Sequence, residues 1–118
     1  MIQNPPPIVT LTEELLSWSL DRSADLPKSH RHSFGHRLDS LSISLLERTI
    51  IARFDPLSRT QQLQSLNLEI EILRSLWRIL HSRTLIATRQ LFFVTSKLDE
   101  IGRMANAWRL SSIAKSNP

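Results

Sequence analysis

Residues 63–80 read LQSLNLEIEILRSLWRIL, and this stretch decides the fold. Its apolar residues are three and four positions apart in strict alternation, at Leu63, Leu66, Ile70, Leu73, Trp77 and Leu80. That spacing places all six side chains along one side of an α-helix, as in the seam of a coiled coil. The stretch is therefore predicted to be a helix that buries this side against other helices.

The same spacing returns in residues 91–108, LFFVTSKLDEIGRMANAW, which predict a later helix. Its seam positions are Leu91, Val94, Leu98, Ile101, Ala105 and Trp108. These two helices are the third and fourth of the predicted fold. Because their seams have the same period, they are expected to pack side by side at an angle of about 20°.

Two further helices are predicted upstream. The first begins at Thr10 or Thr12 as N-cap, with Glu13 and Glu14 in its first turn, and runs to about Ser23. Its apolar face comprises Leu11, Leu15, Trp18 and Leu20. The second begins near Ser29 and carries two apolar stripes, Phe34, Leu38, Leu41 and Leu45 beside Ile43, Leu46, Ile50 and Phe54, so it is expected to be central.

The connections between these helices are short and marked by proline, at Pro27 and at Pro56, after which Ser58 is a plausible cap. The chain has only two glycines and no tyrosine, which argues against hairpins and sheets. The fold class is predicted to be all-α, an antiparallel up-down-up-down four-helix bundle over residues 10–110. An extended, proline-rich lead-in over residues 1–9 precedes it, and a disordered tail over residues 111–118 follows.

The charge indicates a polyanionic partner. Fifteen basic against eleven acidic side chains give a formal net charge of +4. Residues 72–118 hold eight of the basic and two of the acidic side chains, so the excess lies in the C-terminal part. No stretch approaches the roughly 18 apolar residues of a membrane span, and we expect a soluble, cytoplasmic protein without a membrane partner.

Catalytic and metal chemistry find little support. The chain has no cysteine, and of His30, His32 and His36 only the last two have the i, i+4 spacing that a helical metal site needs. A surface role is therefore favoured, in which imidazoles add positive charge below about pH 6.5. No Gly-x-Ser-x-Gly elbow and no paired acids on one helix face are present. The prediction is a protein that is not an enzyme and has no metal and no cofactor.

A basic surface is predicted on the third and fourth helices. Arg74, Arg78 and His81 form a stripe beside the seam of the third helix. Glu71 can pair with Arg74 at i+3, but Arg74 and Arg78 are like charges one turn apart with no acid expected on the far side. Arg83 and Arg89 bracket the next turn, and Arg103 continues along the fourth helix. These residues are candidates for contacts with RNA or DNA phosphates, with a solvated surface as the alternative.

Three motifs of this chain resemble one known family. They are Pro27-Lys28, Arg31, Phe34-Gly35 and Arg37-Leu38; then Asn67-Leu68-Glu69-Ile70-Glu71, Leu73-Arg74, Leu76 and Arg78; then Asp99-Glu100-Ile101-Gly102-Arg103-Met104 and Trp108. The chain resembles the accessory variability determinant (Avd) family of diversity-generating retroelements. The four-helix proteins of 23S rRNA intervening sequences are the near alternative, but their Asn-Ile-Ala-Glu-Gly segment is missing here.

The resemblance implies a homo-oligomer, a pentameric barrel of four-helix bundles, that binds the reverse transcriptase of the retroelement and its template RNA in mutagenic retrohoming. It implies that Arg74, Arg78, Arg103, Arg31 and Arg37 belong to the basic surface, with a structural role as the alternative for Arg37. From a different class, the two seams are also compatible with a structural oligomerisation module whose charges only keep it soluble.

Overall fold

The computed structural model describes residues 6–116, which are helical almost throughout and contain no strand within that range. The four long helices are α1, Pro7–Ala24; α2, His36–Phe54; α3, Arg59–Ser82; and α4, Thr88–Ser116. A helical turn, Lys28–His30, and a π-helical segment, Arg31–Gly35, lead directly into α2. Consecutive long helices pack against each other and α4 returns to α1, so the prediction of an all-α four-helix bundle is confirmed.

The two seams form the centre of the core. All six seam residues of α3 are buried, and Val94, Leu98, Ile101 and Ala105 of α4 are fully buried between them. Leu91 and Trp108, at the two ends of the α4 seam, are partly buried and pack on the core. The seam predictions are therefore confirmed, because antiparallel helices with the same apolar period keep their contact along their whole length.

Helix α1 begins earlier than the sequence predicted. Pro7 is its first residue, a position at which the missing N–H of proline costs nothing, and Ile8 and Val9 are buried in the core. The expected extended lead-in over residues 1–9 is thus wrong for Pro7–Val9, while residues 1–5 lie outside the described residues. Thr12 caps nothing, since its buried hydroxyl donates to the Val9 carbonyl at 2.8 Å.

The second apolar stripe of α2 does not reach the core. Leu38, Leu41 and Leu45 of the first stripe are buried between α1 and α3. Of the second stripe Leu46 is half-buried, while Ile43, Ile50 and Phe54 are exposed, Phe54 to 71%. Leu20 of α1 is exposed as well. Helix α2 therefore has two neighbours in the bundle, and its remaining apolar face lies on the surface of the chain.

Polar contacts hold the helices in register. The Ser23 hydroxyl of α1 donates to Asp39 of α2 at 2.9 Å, and Arg48 of α2 pairs with Glu69 of α3, whose other oxygen accepts from Ser44 at 2.6 Å. Helix α4 continues to Ser116, beyond the expected end near Leu110, and residues 117–118 lie outside the described part. No helix of residues 6–116 is both long enough and apolar enough to span a membrane.

Candidate nucleic-acid interface

Arg74 is paired with two acids, of which Glu71 was expected and Asp99 was not. Its Nε lies 3.2 Å from Glu71 Oε1 on the same helix, and its Nη1 forms an ion pair with Asp99 Oδ1 of α4. The expectation that no acid lies opposite Arg74 is wrong, because this flank of the α3 seam turns toward the antiparallel α4. The charge of Arg74 is therefore largely balanced within the chain.

A groove of about 870 Å³ runs between α3 and α4 beside this pair, and we call it the α3–α4 groove. Its polar lining includes Asn67, Glu71, Asp99, Arg103, Asn106 and Arg109. Gly102 also lines it, and a Cβ added there meets Ile70 Cδ1 at 3.7 Å and Asn67 Oδ1 at 3.9 Å, which are ordinary contacts. Packing within the chain therefore does not require glycine at this position.

The other candidates of α3 and α4 gather around the turn between these helices. Arg78, Arg83 and Arg89 are exposed, and Arg78 donates only to the Ser75 hydroxyl, at 3.3 Å. His81 Nε2 and Thr88 Oγ1 are 3.0 Å apart across the turn. Thr84 makes the turn tight by adopting a positive φ of 57°. None of the three arginines has an ion pair with any residue in 6–116.

Arg31 and Arg37 lie where the chain enters α2. Arg31 belongs to the π-helical segment, and Arg37 is in the first turn of α2; both are exposed. The Arg31 guanidinium donates to the Leu26 carbonyl at 3.5 Å. Within the described range neither has an acidic partner, so both present their charge to solvent.

Aromatic contacts show that these two groups share one end of the bundle. Trp18 of α1 packs on Trp77 of α3 and Phe93 of α4, with ring centroids 5.0 and 5.3 Å apart, and Ser23 contacts Asp39 of α2. The C-terminal halves of α1 and α3 and the N-terminal parts of α2 and α4 are therefore level with each other. We call residues 18–39 and 77–93, which form this end, the turn end.

Arg103 is the candidate that stands apart. It follows Arg89 by fourteen residues in one helix, a rise of about 21 Å, and it lines the α3–α4 groove instead of the turn end. The structure thus brings Arg31, Arg37, Arg78, His81, Arg83 and Arg89 to one end, and places Arg74 and Arg103 in the groove. Lys28, also exposed at the turn end, was not among the candidates, although it lies only three residues before Arg31 in the sequence.

The histidines do not form a metal site. Among residues 6–116 no three His, Cys, Asp or Glu side chains are grouped closely enough to hold a metal ion. His32 and His36 are exposed, and His30 is half-buried with its ring 6.4 Å from that of Phe34. All four histidines, including His81, belong to the turn end.

Comparison with known proteins gives one result. The family model described as bAvd-like matches residues 8–112, which include all four helices. No curated protein and no solved structure matches the chain.

Proposed function

Because this chain belongs to the bAvd-like family, we propose that it is a non-enzymatic accessory subunit of a diversity-generating retroelement, which binds the template RNA of the element and its reverse transcriptase. The single observation that carries this proposal is the family match over nearly the whole chain. The match extends across all three motifs identified in the sequence, at Pro27, Asn67 and Asp99.

The charged surface supports RNA as a partner. Arg31, Arg37, Arg78, Arg83 and Arg89 are exposed arginines without an acidic partner among the described residues. Guanidinium groups bind phosphate oxygens with two donors in one plane, and such contacts need no particular base. Binding should therefore be strong at low salt, weaken steeply as salt rises, and show little preference for sequence.

The apolar surface supports a homo-oligomer, which we propose to be a pentamer by the family resemblance. Ile43, Ile50 and Phe54 form a row of exposed apolar side chains on α2. Contiguous apolar surface of this kind is commonly covered by another protein chain. The same row favours a second candidate function, a purely structural oligomerisation module, in which the arginines have no ligand.

Three measurements test this function. Fluorescence anisotropy of a labelled RNA stem-loop, titrated at several KCl concentrations, should give tight binding with a steep salt dependence. A reverse transcriptase of a diversity-generating retroelement, co-expressed with the tagged chain, should co-purify with it, and light scattering should report five subunits. A folded oligomer that binds neither RNA nor reverse transcriptase at low salt would establish the structural module instead.

A further inference from the structure

The excess positive charge of this chain is confined to one end of the bundle. The turn end contains seven basic side chains, of Arg22, Lys28, Arg31, Arg37, Arg78, Arg83 and Arg89, and three acidic ones, of Asp21, Asp25 and Asp39. Its formal charge of +4 equals that of the whole chain, since the remainder has eight basic and eight acidic side chains. The excess charge therefore lies at one end of the bundle and comes from both halves of the sequence.

The acidic side chains of the turn end are mostly engaged. Asp39 accepts from the Ser23 hydroxyl, whose oxygen lies 2.9 Å from both carboxylate oxygens, and Asp25 pairs with Arg22 at 3.6 Å. Asp21 is exposed on α1. Six exposed cations of the turn end have no acidic partner among residues 6–116 and remain available to a ligand: Lys28, Arg31, Arg37, Arg78, Arg83 and Arg89.

Elsewhere the basic side chains are largely neutralised or used within the fold. Arg74 pairs with Glu71 and Asp99, and Lys97 pairs with Glu14 at 3.5 Å. Arg48 pairs with Glu69. Arg59 donates from Nε to the Ala52 carbonyl at 2.6 Å. The α3–α4 groove therefore offers an anion fewer free positive charges than the turn end does.

We propose that the turn end is the surface that contacts the phosphate backbone of RNA, and that the α3–α4 groove is not; this rests on the proposed function. The bundle measures 52 by 29 by 22 Å, so its end is wide enough for several successive phosphates, since each strand of a B-form duplex places one charge in about 3.4 Å of helix axis. His32 and His36 are exposed on this surface, where a ring N–H can donate to a phosphate oxygen.

The proposal is tested by removing two positive charges from the turn end in one variant and two from outside it in another. Arg83→Gln with Arg89→Gln removes two charges from the turn end, and Arg103→Gln with Lys115→Gln removes two from the balanced part of the chain. All four side chains are exposed, so both variants should fold, which circular dichroism and light scattering verify. Affinity for a labelled RNA stem-loop is then measured as a function of KCl for both variants and for the unchanged protein.

We expect the turn-end variant to bind RNA on the order of tenfold more weakly at physiological salt. Its plot of log affinity against log salt should be shallower, since each lost duplex phosphate contact removes about 0.9 from the slope. The control variant should keep most of the affinity and nearly the original slope. Equal losses in the two variants, or a larger loss in the control, overturn the assignment of the turn end.

The outcomes separate this inference from the function on which it depends. If the unchanged protein binds no RNA, the RNA part of the proposed function fails and the inference fails with it. If it binds RNA but the turn-end variant binds equally well, only the inference fails. Loss of reverse transcriptase binding in that variant, with RNA affinity intact, would assign the turn end to the protein partner and overturn the proposal.

Discussion

Arg74 of α3 and Asp99 of α4 form an ion pair across the rim of the α3–α4 groove, with Glu71 as a second acid on the same guanidinium. The pair joins residues from two of the family motifs. It also means that an arginine which the sequence offers for RNA binding is largely neutralised by its own chain. This relationship can be tested by removing the charge of one of the two acids that pair with Arg74.

Replacement of Asp99→Asn should release Arg74 from one of its two acids. Asp99 is half exposed, so the loss of stability should be within about 1 kcal/mol, as for other surface pairs. Affinity for an RNA stem-loop should rise no more than it does in Glu100→Gln, which removes one negative charge away from Arg74. A clearly larger rise in Asp99→Asn than in Glu100→Gln would place the groove in the RNA interface.

Thr84→Gly should stabilise the chain, although glycine usually destabilises. Thr84 has a φ of 57°, which a β-branched residue adopts at a cost of about 1–2 kcal/mol and glycine adopts freely. We expect the free energy of unfolding in urea to rise by roughly 1 kcal/mol. The control Thr95→Gly, inside α4, should lower it, by roughly 0.5 kcal/mol from helix propensity. Destabilisation by both substitutions contradicts the argument.

Gly102→Ala should likewise raise the free energy of unfolding, by up to about 1 kcal/mol, because alanine is the better helix former. Its Cβ would make only ordinary contacts, with Ile70 and Asn67. Thermal unfolding together with light scattering measures both stability and subunit number. A fall in subunit number, or no gain in stability, would mean that another chain packs against Gly102.

Glu69→Gln should destabilise the bundle more than a surface substitution does. Glu69 is only 14% exposed in its side chain and accepts from both Arg48 and Ser44, so the variant leaves the Arg48 charge part-buried without its counter-ion. We expect a loss of roughly 1–3 kcal/mol. Urea unfolding of Glu69→Gln, Arg48→Met and the double variant gives the coupling; additive losses would show that the pair contributes nothing.

Much of the fold follows from apolar spacing. The seam residues between Leu63 and Leu80 and between Val94 and Ala105 are buried, as their spacing predicts. Apolar side chains at this spacing lie on one side of a helix, and that side packs against other helices. The first residue of α1 could not be predicted from the sequence, because a run of prolines is compatible both with an extended chain and with the first turn of a helix. Burial of Ile8 and Val9 decides between the two, and that depends on the other helices.

The candidate site was predicted residue by residue but not in its arrangement. Arg83 and Arg89 were recognised as flanking a turn, yet their closeness to Arg31 and Arg37 arises only when four antiparallel helices are level. The pairing of Arg74 with Asp99 depends on how α3 and α4 are rotated about their own axes. The apolar spacing of a single helix predicts neither its height relative to the other helices nor its rotation about its own axis.

The π-helical segment is a position at which a single residue can be deleted without disturbing the packing of α2. At Arg31–Gly35 the His36 amide bonds to the Arg31 carbonyl five residues back, so this turn holds one residue more than an α-helical turn. Deleting a residue elsewhere in α2 rotates everything on one side of the deletion by about 100° and pulls leucines out of the core. Deleting Ser33 would instead convert the wide turn into an ordinary one, so this is the place where single-residue gaps among related chains are expected to collect.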